Sequence, residues 1–156
     1  METVDFMAIA MGEAEKARAR DEVPIGAVIV CDNKVIAAAH NRVEEWCDAT
    51  AHAELVAIRA AMQAVGNKRL PDCELFVTLE PCTMCAGAIS LARLKCVTFA
   101  APDPKGGGVV HGARFFDQPT CHHRPEIRQS NEDYEWMSGI LLREFFAAKR
   151  VKASNE

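Results

Sequence analysis

Apolar residues recur at Phe6, Met7, Ala10, Met11, Ala14 and Ala17, three and four positions apart. That spacing marks one face of an α-helix. Thr3 stands where an N-cap belongs, so the pattern predicts a first helix ending near Arg20. The period then changes. Ile25–Val30 is a continuous apolar run, the turn signal "CDNK" follows, and Val35–His40 resumes the apolar pattern, which together read as a β-hairpin. "NRVEEWCDAT" is polar and without period, a loop. Thr50 or a neighbour opens a second helix from His52 to about Val65, closed by Gly66-Asn67. "CELFVTL" predicts a third strand, Pro81 starts a third helix, and "KCVTFAA" predicts a fourth strand. Proline and glycine break any regular element in "PDPKGGGVVHG". The pattern assigns nothing firm from Ala113 onward until a short strand around Pro125–Gln129, and Val109–Cys121 carries no readable role. Ser130 with Asp133 resembles a capping box for a last helix reaching about Lys152. Strands and helices alternate without repeats or linkers, so the chain reads as a single α/β domain, 1–156, with helices covering a sheet.

Composition changes this picture little. The 156 residues are 49% hydrophobic and 26% charged, ordinary for one globular domain with a core of its own. No apolar run approaches the length of a membrane span, and the amphipathic N-terminal segment lacks the apolar stretch of a signal peptide. Seven cysteines make an odd count without framework spacing. A reduced, cytoplasmic protein with thiols free for metal or core use is the expectation. The net charge of −4 disfavours a protein that coats nucleic acid. The last helix is an exception, since Arg143, Lys149, Arg150 and Lys152 stand there against Glu144. Cations at a helix C-terminus can simply answer the helix dipole, or can meet a polyanion.

The chemistry lies at two predicted helix starts. "AHAEL" places His52 and Glu54 at one, and "PCTMC" places Cys82 and Cys85 at the other. If both helix ends meet over the sheet, an imidazole and two thiols converge. Such ligands suit zinc, and three of them leave one tetrahedral position open. A helix N-terminus favours the thiolate form. Water at an open position has its pKa lowered toward about 7, and Glu54 is placed to take and return its proton. Two other readings stay open on spacing alone. The C-x-x-C can be a redox pair. The metal can be structural, closed by Cys73, Cys96, Cys121 or His122.

H-A-E followed by P-C-x-x-C is the signature of the zinc-dependent deaminases. Together with "VPIGAVIV", "HNR", "DATAHAELVAIRAA", "LFVTLEPCTMCAGAI" and "LLREFFAAKR", it resembles the bacterial tRNA adenosine deaminase family over nearly the whole chain. The resemblance implies a three-layer, cytidine-deaminase-like α/β/α fold with a central mixed sheet of about five strands. It implies hydrolytic conversion of the wobble adenosine of a tRNA anticodon loop to inosine, one zinc per subunit and a homodimer. His52, Cys82 and Cys85 then hold zinc and Glu54 moves the proton. Asn41 and the Ala53 N–H hold the base, and Ile25 and Leu79 line its pocket. Asp103, Lys105 and Gly107 lie beside the RNA backbone, and Arg143, Phe145, Phe146, Lys149 and Arg150 face the anticodon loop. Without the resemblance, Asn41 reads as a strand-end cap and Asp103 as a turn residue. By the same token, Phe145 and Phe146 read as core. The same metal chemistry also serves small-molecule deaminases acting on guanine, cytosine or cytidine. Ala49, Pro102 and His122-His123 depart from the family pattern.

Overall fold

The structure is a computed structural model that describes residues 3–156. Its elements follow in the order α1 (Phe6–Ala19), β1 (Gly26–Cys31), β2 (Lys34–His40), α2 (Ala53–Val65), β3 (Cys73–Leu79), α3 (Thr83–Ala92), β4 (Cys96–Ala101), a short 3-10 turn (Phe115–Asp117), β5 (Glu126–Gln129) and α4 (Glu132–Ser154). The sheet order is β2-β1-β3-β4-β5. β1 pairs antiparallel with β2 and β3, whereas β3–β4 and β4–β5 are parallel. This is the mixed five-stranded sheet the sequence leads one to expect.

Two cores form because strand side chains alternate in direction. Ala27 and Ile29 of β1, with Leu75 and Val77 of β3, meet Ala57, Ile58, Ala86 and Ile89 under α2 and α3. Val28 and Val30 point the other way, toward Met7 and Ala10 of α1. Leu141 of α4 packs on Met11 and Ala14. The result is three layers, with α1 and α4 on one face of the sheet and α2 and α3 on the other. The hairpin turn works because Asp32 and Asn33 both take positive φ, 50° and 60°, as a two-residue type I′ turn demands. Gly66 closes α2 in the left-handed conformation.

Several boundaries differ from the sequence expectation. Asp5, not Thr3, caps α1 by accepting from the Ala8 N–H, and Asn131, not Ser130, caps α4 by accepting from Tyr134. The Ser130 Oγ is buried without a partner. α3 begins at Thr83, two residues after Pro81, and α4 runs on to Ser154. The unassigned stretch is core: Val109, Phe116 and Cys121 are all buried against α3 and the sheet. Among the described residues, no helix is long and apolar enough to cross a membrane.

Candidate functional site

β2 and β3 are both antiparallel to β1 and so run in the same direction, and the N-termini of α2 and α3, the helices that follow them, rise at their carboxyl ends. Ligand sites in α/β sheets gather at such strand ends. His52 is the N-cap of α2 and Cys82 the N-cap of α3, both extended, and neither uses its own side chain to cap its helix. Cys85 follows one turn into α3. His52 Nδ1 lies 3.6 Å from Cys82 Sγ and 3.6 Å from Cys85 Sγ. The three donor atoms all lie within 4.8 Å of one another.

The protons of this cluster are distributed by the contacts. The thiol of Cys85 donates to Cys82, burial works against that and His52 adds its own hydrogen bond, and the net effect holds Cys82 down at about 4. The same contact with Cys82, and then burial, push Cys85 far up. His52 is raised, first by its hydrogen bond with Cys82. Three lone-pair donors thus crowd one point and compete for protons there. One cation answers all three at once, so the donor set fits a borderline-soft metal. Among the described residues, no fourth His, Cys, Asp or Glu joins the group. Cys73 and Cys96 are in the sheet, and Cys121 bonds Ser90 and the His123 carbonyl. The closed structural site is therefore not the arrangement here.

Glu54 sits in the first turn of α2, 4% exposed. Burial pushes its carboxyl up to about 7, with the neighbouring Cys82 raising it further and His52 opposing. A cavity of about 420 Å³ opens next to His52 and takes in Ile25, Asn41, Leu79, Asp103 and Phe146. Six of the residues singled out in the sequence thus share one cavity. Ile25, Leu79 and Phe146 give it apolar walls, and Asn41 adds a polar group to its lining.

Other residues are placed differently. The Ala53 N–H is already taken, because it donates to Asn41 Oδ1 at 2.7 Å. An N–H in the first turn has no partner within its helix, and Asn41, just past the end of β2, supplies the acceptor. Phe145 is not at the surface: it is buried, with the Lys149 ammonium 5.4 Å above its ring. Lys149 itself is tied to Asp21 at 2.5 Å. Arg143 lies along a separate groove with Glu132, Glu135 and Trp136. Lys105 and Arg150 are exposed and outside the cavity. Asp103 both lines the cavity and accepts from the Lys105 and Gly106 N–H groups, the turn its sequence allows.

Two features escaped sequence reading. Gly139 and Leu142 line the cavity with Phe146. They lie at i, i+3 and i+7 of α4, a spacing that was open to view. Glu80 was not readable. Its buried carboxylate accepts from the N–H groups of Asp103, Val109, Val110 and His111 and pairs with His111 Nδ1 at 2.8 Å. It gathers the loop 102–111 against the start of α3.

Residues 1–150 match the family model of the MafB19-like deaminases. The tRNA-specific adenosine deaminase of Agrobacterium fabrum is 53% identical over 150 residues, covering 96% of this chain and 97% of that protein. The chain belongs to the tRNA-specific adenosine deaminase family. A solved tRNA:A34 deaminase, from work on A-to-I editing at the wobble position of transfer RNA, is 57% identical with a TM-score of 0.79. That comparison covers 80% of this chain and 96% of the other. A guanine deaminase from Bacillus subtilis stands further off, 33% identical at TM-score 0.64, covering 92% of this chain and 95% of its own. Membership of the tRNA-specific adenosine deaminase family agrees with a His/Cys/Cys cluster at two helix starts that could hold a metal ion.

Proposed function

We propose that the chain converts the wobble adenosine of a tRNA anticodon loop to inosine, with ammonia leaving and water entering. The observation that carries this is one cavity beside the His52–Cys82–Cys85 cluster, on a chain 53% identical to a tRNA-specific adenosine deaminase over nearly its whole length. Anticodon-loop bases are already unpaired, so splaying one into a pocket asks little extra unstacking. The apolar walls at Ile25, Leu79 and Phe146 bound the base. Asn41, fixed by its bond to Ala53, presents its remaining amide N–H groups to the purine edge.

His52, Cys82 and Cys85 are the residues to hold zinc. When bound, the zinc supplies a Lewis acid that lowers the pKa of water at its open position to about 7. Glu54 takes a proton from the attacking water, gives it to the purine ring, and then assists the departing amine. A carboxyl that burial holds near neutrality is suited to carry a proton both ways. RNA contacts fall to Lys105, Arg143 and Arg150, which are exposed. A second copy would pack on α3, where Leu91 is 81% exposed and Met84, two turns earlier, is exposed as well. Light scattering on the purified chain then gives twice the monomer mass. The place of action is the cytoplasm.

The test is an anticodon stem-loop with adenosine at the wobble position, read for inosine by reverse transcription, with free guanine as the control substrate. Glu54→Ala is expected to keep one zinc per chain and lose at least a thousandfold in turnover. Ammonia from guanine alone, with no inosine in the loop, overturns the RNA assignment and leaves the zinc chemistry standing.

A further inference from the structure

Cys31 and Cys73 stand directly opposite each other on the antiparallel β1–β3 ladder. Such ladders alternate between pairs that exchange backbone hydrogen bonds and pairs that do not. Two observations put this pair in the second class. Cys31 is partnered by Lys34 as the closing pair of the two-residue hairpin, which turns its N–H and C=O toward β2. Cys73 donates its N–H to the Leu70 carbonyl at 3.1 Å and accepts from the Lys95 N–H at 2.9 Å, leaving nothing for Cys31. Opposed residues in this class have Cα atoms about 4.5 Å apart and side chains close together. That separation falls within the range of roughly 4.4–6.8 Å that disulfides span. Both side chains leave the sheet on the α2–α3 face, where Cys73 is in the core and Cys31 packs against it. Cys31 is partly exposed while Cys73 is buried.

We propose that Cys31 and Cys73 are a redox-sensitive cross-strand pair, which closes to a disulfide when a small-molecule disulfide of the glutathione type reaches it. The Cys31 thiolate attacks one sulfur of the reagent, whose S–S bond breaks and releases one thiol. Cys73 then gives up its proton and attacks Cys31 Sγ, expelling the second reagent thiol. One S–S bond has formed in the chain, one has broken in the reagent, and the two thiol protons end on two reagent thiols. The order follows from access, since only Cys31 meets solvent. Burial, and then Cys31 itself, push the Cys73 thiol up to about 12, which makes it the slower, second partner. The pair lies at the opposite end of β3 from Leu79, six residues and about 20 Å from the cavity. Closure therefore leaves the cavity as it is. It fastens β1 to β3 around a loop that carries β2, α2, His52 and Glu54.

The experiment uses the zinc-loaded chain, in which Cys82 and Cys85 are shielded, treated with oxidised glutathione and mapped by non-reducing peptide mass spectrometry. The expected result is a Cys31–Cys73 linked peptide with the loss of two hydrogens, reversed by dithiothreitol. Its melting temperature should rise by about 5–10 °C, as expected for a bridge closing a loop of this length. Deaminase turnover should change less than twofold. Cys31→Ser and Cys73→Ser should each abolish the linked species, and the first, at a partly exposed position, keeps the test open if the second fails to fold. Glutathione trapped on Cys31 without closure, or linkage of either residue to exposed Cys47 instead, overturns the proposal.

Discussion

Tyr134 is the single tyrosine of the chain, and its hydroxyl donates to Asp5. Asp5 also caps α1 through Ala8, so one carboxylate joins the starts of α1 and α4. The hydrogen bond to Asp5, then burial and the negative charge, push the phenol up to about 12. A group whose folded pKa lies above its ordinary value near 10 stabilises the fold below that value. The contribution disappears as pH climbs through about 12. Phenolate absorbance should therefore show a midpoint near 12, moving toward 10 in Asp5→Asn while circular dichroism still reports folded helices. A wild-type midpoint near 10 would sink this account. Asn41 shows how much one residue can hide. Two readings were open in the sequence, a backbone cap or a base ligand, and its bond to the Ala53 N–H places a capping role and an edge of the cavity in one side chain.

Elements were legible where a local rule sufficed and illegible where a distant partner decided. The hairpin followed from "CDNK" and the end of α2 from Gly66, because turn chemistry is local. The caps were each displaced by one or two residues. Any nearby Ser, Thr, Asp or Asn satisfies the rule, and the exit of the chain from the sheet selects among them. Lys149 is tied to a residue 128 positions away, which no window on the last helix reveals. The loop at 102–111 is the largest such case. Glu80 organises it, and Gly107 is required because a Cβ there would meet the Glu80 carboxylate at 2.3 Å. Glu80→Gln replaces one oxygen by an NH2 that faces N–H donors, and should lower stability by about 2–3 kcal/mol in urea titrations. Gly107→Ala should act in the same direction. Unchanged midpoints for both would mean that the loop is held by something else.

At the scale of the molecule, a net charge of −4 means that attraction for RNA must be local. Lys105 and Arg150 are exposed, whereas Lys149 already has Asp21 as its partner. The salt dependence of stem-loop binding can tell these apart. Lys105→Ala and Arg150→Ala should each reduce the slope of log K against log salt by about 0.7–1, and Lys149→Ala by less. Equal slopes for all three would show that the Asp21 pair opens on binding.

The walls of the cavity have different ages. His52, Leu79 and Asp103 come from the first two-thirds of the chain, but Gly139, Leu142 and Phe146 belong to α4. Synthesis runs from the N-terminus and folding begins during it. All three donors of the cluster are therefore made before the α4 residues that complete the wall of the cavity. On the proposed function, a growing chain carries the residues that would capture metal while the slot for a nucleoside still lacks one side, so the capacity for chemistry would arrive before the capacity to choose what undergoes it.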